Sequence, residues 1–235
     1  GKETIIPREA SPFVFLLAPL MGLIAVTLAS MLMWQAILVP TEGFLGDLIV
    51  AIYILTIPSI AVIMGGAASG NPLASLGASR EMKLILAYEL PFILALFVPV
   101  IHGGSIKLGD ILLYQRFHAL FLNSFSGTIA FVVAILCMQA KLTLVPFDIP
   151  EAETEIIAGP FIEYSGPPLA IFKLTRWMML FTLPMFLVLM FMGGIIFKGW
   201  HVLWGILKYV LLLVIIILIR NTNPRLRIDQ AIKFF

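Results

Sequence analysis

The stretch from Pro12 to Leu38 reads PFVFLLAPLMGLIAVTLASMLMWQAIL and contains no charged side chain. A helix needs roughly 20 residues to cross a hydrocarbon core about 30 Å thick, so this stretch is long enough to span a bilayer. It lacks the period-two alternation of a barrel strand. Because lipid offers no partner to unpaired backbone groups, we expect a transmembrane helix.

The rest of the chain repeats this pattern. Hydrophobic residues make up 61% of the 235 residues, charged residues make up 12%, and the mean hydropathy is +1.07, which excludes an ordinary soluble domain. Six stretches qualify as spans, namely about Pro12 to Leu38, Phe44 to Gly65, Met82 to Ile101, Phe125 to Val145, Leu169 to Phe197 and Val202 to Ile219. We predict an all-α, polytopic transmembrane helix bundle that forms a single integral membrane domain over residues 1–235.

The distribution of Lys and Arg predicts the orientation. An even number of spans places both termini on one side of the membrane. The bases on that side are Lys2, Arg8, Arg80, Lys83, Lys141, Lys173, Arg176, Arg220, Arg225, Arg227 and Lys233. The other side has only Lys107, Arg116 and Lys198. By the positive-inside rule the termini are cytoplasmic, and we expect the chain in the plasma membrane.

One connection departs from this charge pattern, and we call residues 146–167 the acidic loop. Five acidic side chains and no basic one lie between Lys141 and Lys173: Asp148, Glu151, Glu153, Glu155 and Glu163. A charge of about −5 on the cytoplasmic side is costly unless something uses it. On a helix, Glu151 and Glu155 would repel each other unless protons or cations intervened. Apolar residues between 156 and 161 predict that the loop folds back against the protein or a partner; the alternative is a solvated turn.

Glu89 is the strongest candidate for a proton relay inside a span. It lies about 15 Å along the third predicted span, counted from Arg80, where a charged carboxyl is expensive and often functional. Pro91 leaves the carbonyl of Ala87 without its helical donor, free to bind water or another polar group. The alternative is a neutral Glu89 that only hydrogen-bonds between helices.

Glu81 precedes Glu89 by two turns and points roughly 80° away around the helix. It could pass a proton toward Glu89 through water. Alternatively, it could pair with Arg80 or Lys83 at the membrane interface, and the sequence leaves both interpretations open.

Two other ionisable residues near the spans have simpler interpretations. Lys208 lies within the last span, and its long stem could carry the amine to the interface. Asp47 lies near the start of the second span, where it could be merely interfacial.

The chain has no redox centre of its own by sequence. It contains a single cysteine, Cys137, in an apolar stretch, which excludes a disulfide framework and a CxxC pair. His102, His118 and His201 lack metal-ligand spacing. Residues 65–70 are rich in glycine but lack the GxxxxGK[ST] pattern of a phosphate-binding loop. We therefore expect no bound metal or cofactor and no catalysis by this chain alone.

The acidic loop contains the most distinctive motif, PFDIPEAE at residues 146–153, followed by EYSG at 163–166. It resembles the signature of the NADH dehydrogenase subunit 1 family, the membrane subunit at the junction of the two arms of respiratory complex I. Further landmarks follow in the family's order: Pro7-Arg8, Leu17-Ala18-Pro19, LGASR at 76–80, Tyr88-Glu89, Lys208 and PRLRIDQ at 224–230. The resemblance covers nearly the whole chain.

Two stretches, GASRE at 77–81 and GPFIEYSG at 159–166, are most similar to one branch. That branch comprises the membrane-bound group 4 [NiFe] hydrogenases and their sulfane-reducing relatives. These complexes take electrons from reduced ferredoxin and pump ions without quinone. The resemblance implies a membrane anchor and ion-translocation subunit of such a multisubunit complex.

The resemblance also implies site residues and partners. The implied proton or ion relay residues are Glu89, Glu81, Asp148, Glu151, Glu153, Glu155 and Glu163, with Arg80, Tyr88, Tyr164, Lys208 and Asp47 in support. The acidic loop would line a cavity beneath an iron–sulfur cluster of a neighbouring subunit. The implied partners are a soluble hydrogenase-like or quinone-reductase-like module on the cytoplasmic side, antiporter-like membrane subunits and the lipid bilayer. We expect no nucleic acid partner.

The chain departs from the family pattern in two respects. Family members have eight spans, so we expect that this chain is truncated at both ends. Many relatives have an acidic residue five positions before the Pro-Phe-Asp motif, where this chain has Lys141. A relay through that point therefore does not carry over.

The sequence leaves two other functions open. One is the quinone-binding subunit of NADH:quinone oxidoreductase, which requires a quinone-shaped cavity open to lipid. The other is a free-standing secondary transporter, which would show inverted repeats and paired broken helices. The sequence shows neither of these transporter features.

Overall fold

A computed structural model of the chain describes residues 3–44, 46–197 and 199–235, but not the side chains of Glu153 and Thr154. The helices are α1 (Pro12–Leu38), α2 (Asp47–Ala68), α3 (Pro72–Gly103), α4 (Leu108–Phe117), α5 (Phe125–Lys141), α6 (Glu153–Ile156), α7 (Gly166–Met192), α8 (His201–Thr222) and α9 (Ile228–Phe234). The described ranges contain no strand, which agrees with the all-α prediction. Lys2 and Lys198, which contribute to the predicted orientation, lie outside these ranges.

Each of the six predicted spans is a helix. Five of them, α1, α2, α3, α7 and α8, are long and apolar enough to cross a membrane, while α5 has 17 residues and is shorter. Their connections alternate between the two ends of the bundle. The acidic loop lies against the start of α3, and α4 contacts the start of α2 and the end of α7 at the opposite end. This alternation is what membrane-crossing helices require.

The third span begins ten residues before its predicted start. The side chain of Asn71 accepts a hydrogen bond from the Leu73 amide at 2.9 Å, and Pro72 occupies the first helical position. Both features initiate helices. The extra turns carry Arg80 and Glu81, whose charge lowers the hydropathy there, and they bring the start of α3 under the acidic loop.

Small residues let the central helices approach closely. An added Cβ on Gly22 of α1 would lie 3.4 Å from both Ala61 of α2 and Thr175 of α7. Close backbone approach of this kind drives helix association where no hydrophobic effect operates. The core is richest along α7, where residues 185–191 are all buried. In contrast, α8 buries only Gly205, Leu212 and Ile216.

Asp47 is structural, and the interpretation of a merely interfacial side chain is wrong. It is buried, and its carboxylate accepts a hydrogen bond from the amide of Leu108 at 2.8 Å. Leu108 is the first residue of α4, a helix outside the predicted spans. A carboxylate at that position satisfies an unpaired amide and complements the helix dipole.

The carboxyl end of α7 is held by side-chain donors. The Lys208 amine donates to the carbonyl of Met192 at 2.5 Å, and the Gln115 amide donates to that of Leu189 at 3.0 Å. A cation is favourable at this end of a helix dipole. Lys208 therefore caps α7, and its amine has a partner within the protein.

Candidate functional site

The acidic loop lies against the bundle, as its apolar residues predicted. It contains two 3₁₀ turns, Ile149–Glu151 and Gly159–Phe161, with α6 between them. The second turn approaches Gly77 of α3 so closely that an added Cβ would lie 2.6 Å from the Pro160 ring. Gly77 thus provides the space in which the loop docks.

Three of the five loop carboxylates pair with arginines from other parts of the chain. The ion pairs are Glu151 with Arg176 at 2.6 Å, Glu155 with Arg80 at 2.6 Å, and Asp148 with Arg225 at 3.0 Å. Glu163 accepts a hydrogen bond from Asn71 at 2.5 Å. The Glu153 side chain lies outside the described part of the structure.

The repulsion that Glu151 and Glu155 would have on one helix does not arise in the structure. Glu151 ends a 3₁₀ turn and Glu155 lies in α6, so the two do not share one helix. Each has its own arginine. Charges that are adjacent in sequence are separated by the loop conformation, and no proton or bound cation is needed to balance this pair.

Tyr164 joins the loop to α1. Its ring stacks on Phe15 with centroids 4.0 Å apart, and its hydroxyl donates to the Phe15 carbonyl at 3.0 Å. Burial raises the pKa of Tyr164 above its ordinary value, so the hydroxyl remains a donor. Tyr164 thus anchors the acidic loop to α1.

A cavity of about 400 Å³ lies under the loop, between α2, α3, α5 and α7. Apolar side chains such as Val62, Phe172 and Met179 form much of its wall. The charged residues that line it are Glu81, Lys141, Glu151, Lys173 and Arg176. The cavity therefore joins an apolar interior to a charged rim, the usual composition of a site for ligands, water or ions.

Glu81 is buried in this cavity wall. Ser59 of α2 lies beside it, and one of its carboxyl oxygens has no hydrogen-bond partner among the described residues. Arg80 is engaged with Glu155, so the alternative of a Glu81–Arg80 pair is wrong. A buried carboxyl with a free oxygen facing a cavity is available to exchange a proton.

Lys141, noted in the sequence only as a departure from the family pattern, is the residue whose partner the sequence did not predict. Its amine lies 3.0 Å from the Glu89 carboxylate and 5.0 Å from the centre of the Phe92 ring. The Lys141 side chain is 0% exposed, whereas that of Glu89 is 20% exposed. A lysine at the end of an apolar helix was the sequence signal that could have indicated a buried charge. That signal does not reveal which carboxylate pairs with the lysine.

The polar row is the set Glu151, Glu81, Lys141 and Glu89, and it runs from the loop toward the outside of α3. The first three line the cavity, and Lys141 connects it to Glu89. Glu89 is only partly exposed and lies at the edge of the exposed face of α3 that Leu86 and Leu90 form. Tyr88, beside the row, is buried with its hydroxyl unpartnered among the described residues.

The other predicted site residues lie elsewhere. Asp148 faces a second surface groove, and Glu155 pairs at an exposed position. Lys208 and Asp47 lie at the opposite end of the bundle and are not part of the row. Within the described residues, no group of three or more His, Cys, Asp or Glu side chains could hold a metal ion.

The segment after α8 closes over the acidic loop. The Leu226 amide donates to the carbonyl of Pro146 at 3.0 Å, and the ring of Phe147 contacts Phe234 and Phe235 at centroid distances of 5.8 and 5.0 Å. Phe147 is itself buried. The PFD motif is thus held by a part of the chain nearly 80 residues away, counting from Phe147 to Leu226.

Comparison with known proteins agrees with the sequence landmarks. The family model of NADH dehydrogenase matches residues 1–235. The chain belongs to the NADH dehydrogenase family. The resemblance based on the loop motif is therefore confirmed at family level.

The relatives include single subunits of NADH-quinone oxidoreductase from several bacteria. The chain is 34% identical over 243 residues to one from Geobacillus thermodenitrificans, covering 99% of this chain and 71% of that protein. It is 37% identical over 238 residues to one from Dehalococcoides mccartyi, covering 99% and 65%. It is 34% identical over 247 residues to one from Thermus thermophilus, covering 99% and 66%. The chain thus spans about two thirds of the length of these relatives.

A solved structure has a similar fold. A chain of the membrane-bound sulfane sulfur reductase, an archaeal respiratory membrane complex, superposes with a TM-score of 0.88 at 26% identity. The match covers 100% of this chain and 77% of that one. The sulfane-reducing branch predicted from residues 77–81 and 159–166 is thus represented among the similar proteins.

Proposed function

We propose that this chain is the membrane subunit of a multisubunit, ferredoxin-dependent respiratory complex of the membrane-bound hydrogenase type. In that role it anchors a soluble electron-transfer module and links electron transfer to proton or sodium movement. Family membership and the similarity to the sulfane reductase chain support the assignment. The observation that carries the coupling role is the polar row from the cavity to Glu89 at the edge of the exposed face of α3.

The proposed partners follow from the two ends of that row. The soluble module would dock on the acidic loop on the cytoplasmic side, with an iron–sulfur cluster of its own close to the loop. Antiporter-like membrane subunits would cover the outer face of α3, whose exposed leucines Glu89 borders. A carboxyl in such a position is expensive in lipid, which supports a covering partner.

The polar row suggests how the charge would move. Negative charge arriving beside the loop draws a proton or cation into the cavity, where Glu81 has a free carboxyl oxygen. Lys141 lies between the cavity and Glu89. Weakening its ion pair with Glu89 leaves that carboxyl able to exchange a proton with the neighbouring subunit.

The first prediction tests this role. Replacing Glu89 with Gln should abolish electron-driven ion uptake in vesicles, because the amide keeps the shape and hydrogen bonding but cannot carry a proton. The matched control is Glu42→Gln at an exposed glutamate outside the row. Wild-type ion transport per electron in the Glu89→Gln complex would contradict the relay.

A second variant separates transport from folding. Glu89→Gln leaves Lys141 buried without an anionic partner, and breaking a buried pair costs about 3–5 kcal/mol. The double variant Glu89→Gln/Lys141→Met removes both charges and should recover assembly without recovering transport. Recovery of transport by the double variant would show that the pair is only structural.

A second candidate is the quinone-binding subunit of NADH:quinone oxidoreductase. The curated relatives favour it, and so does a cavity of about 400 Å³ with largely apolar walls. Quinone-site inhibitors would block electron transfer by such a complex and leave a hydrogenase-type complex active. A nickel-binding large subunit encoded beside this chain supports the hydrogenase type, whereas NADH- and flavin-binding subunits support the alternative. Family membership argues against a free-standing transporter.

A further inference from the structure

A second groove adjoins the cavity, shares Glu151 and Arg176 with it, and opens on the surface where the end of α5, the middle of α7 and the last turn of α8 meet. Its volume is about 530 Å³. Leu144, Val145, Trp177 and Leu180 form an apolar wall along it. Its charged rim consists of Arg176, Arg220, Arg225, Asp148 and Glu151. The groove is thus amphipathic along its length.

The charges on the rim favour an anion. Three arginines and two carboxylates leave a net charge of +1 (3 − 2). The carboxylates are already paired, Glu151 with Arg176 and Asp148 with Arg225. Arg220 has no ion-pair partner among the described side chains, and it is exposed at the rim. The Arg220 guanidinium is therefore available to a ligand. The half-exposed Arg225 guanidinium lines the same groove.

The composition of the groove is typical of a membrane interface. Trp177 is 69% exposed, and tryptophan side chains concentrate where hydrocarbon meets headgroups. Arg220 lies in the last turn of α8, on the same side of the bundle as the acidic loop. Leu180 continues the apolar wall one helical turn from Trp177 toward the bilayer interior. A soluble anion would bind the arginines but would not contact the apolar wall.

We propose that the groove binds an anionic phospholipid. The phosphate lies at Arg220 and Arg225, and an acyl chain follows Trp177 and Leu180. Clustered basic residues at the membrane surface attract anionic headgroups, and guanidinium binds phosphate through paired N–H donors. The site would fill the cleft between α7 and α8 with lipid, at the edge of the acidic loop.

The first test measures lipid retained by the purified complex. Complexes are delipidated, exchanged with vesicles of equimolar phosphatidylglycerol and phosphatidylcholine, repurified, and analysed by quantitative mass spectrometry. The wild-type complex should retain phosphatidylglycerol in preference to phosphatidylcholine. Arg220→Gln should weaken that retention about tenfold, the loss expected when one charge-assisted hydrogen bond is removed. Lys83→Gln, which removes another exposed positive charge, on α3, should leave the retention unchanged.

A second measurement does not depend on that substitution. The fluorescence of Trp177 is obtained as the difference between the wild-type and Trp177→Phe complexes. Brominated phosphatidylglycerol should quench this fluorescence more strongly than brominated phosphatidylcholine does. Equal retention in the Arg220→Gln and Lys83→Gln complexes, or equal quenching by the two lipids, would overturn the proposal and indicate that another subunit covers the groove. Displacement of bound phosphatidylglycerol by millimolar inorganic phosphate alone would overturn it in favour of a free-anion site.

Discussion

Glu151 and Glu155 illustrate how two like residues four positions apart acquire different roles. Glu151 lines the cavity with its partner Arg176, and its side chain is 24% exposed. Glu155 lies outside the cavity at 56% exposure and pairs with Arg80. An exposed pair contributes little, whereas a charge left alone in a cavity changes the field along the polar row.

These surroundings predict different effects on coupling. Glu155→Gln should change stability by less than about 1 kcal/mol and leave ion transport per electron intact. Glu151→Gln should lower transport severalfold, because it leaves Arg176 uncompensated beside Glu81 and Lys141. Ion transport per electron is measured for each single variant in vesicles, with Glu155→Gln as the matched control.

The triple variant of Glu151, Glu153 and Glu155 to Gln distinguishes energetic from docking roles. If it assembles and transports ions normally, the acidic loop has no part in coupling. If it fails to assemble with the soluble module, the loop is chiefly a docking surface. If the changes in ion transport caused by the single variants do not sum to that of the triple variant, the three sites interact.

At the scale of elements, the contact between α3 and the turn Gly159–Phe161 positions the loop over the cavity. An added Cβ at Gly77 would lie 2.6 Å from Pro160 and 2.9 Å from the Gly159 Cα. Neither neighbour can move without moving the backbone. The loop is therefore held in place by the absence of a side chain at one helical position.

Gly77→Ala should displace the acidic loop without unfolding α3, at a cost of about 1–3 kcal/mol from overpacking. Hydrogen exchange measures this as faster exchange of the amides at residues 147–162. Gly103→Ala on the same helix is the control, since its nearest neighbours would lie 3.7 Å away. Unchanged protection in Gly77→Ala would show that the loop is held elsewhere, for example at Tyr164.

At the scale of the whole molecule, Phe147 joins regions distant in sequence. It contacts Phe234 and Phe235 beyond α8, and Phe235 in turn lies 6.4 Å from Tyr88 of α3. Phe147→Ala should lower local stability by about 3–5 kcal/mol, the usual cost of removing a buried ring. Hydrogen exchange should quicken together at residues 147–156 and 228–235.

The control for this prediction is Phe125→Ala, whose ring is 83% exposed. It should leave exchange in both regions unchanged. Faster exchange in only one of the two regions after Phe147→Ala would show that the loop and the segment after α8 are stabilised independently.

The sequence by itself determined the helices that cross the membrane, because a span requires about 20 apolar residues whatever its neighbours are. It also identified the loop motif and Glu89, since charge stands out in so apolar a chain. It did not predict α4, whose ten residues mix apolar and charged side chains too evenly for a span. The start of α3 was placed too late because Arg80 and Glu81 interrupt the hydropathy.

Only the tertiary structure decided which charges meet. Lys141 and Glu89 lie 52 positions apart, Arg80 and Glu155 lie 75 apart, and Asp148 and Arg225 lie 77 apart. Hydropathy records the depth of a residue along a helix but not the neighbour it faces, which depends on how the helices pack. The same packing converts a loop with a charge of about −5 into a set of ion pairs around a cavity. It also turns Asp47 and Lys208 into helix caps at the opposite end of the bundle, because the helix ends they bind are brought there by other parts of the chain.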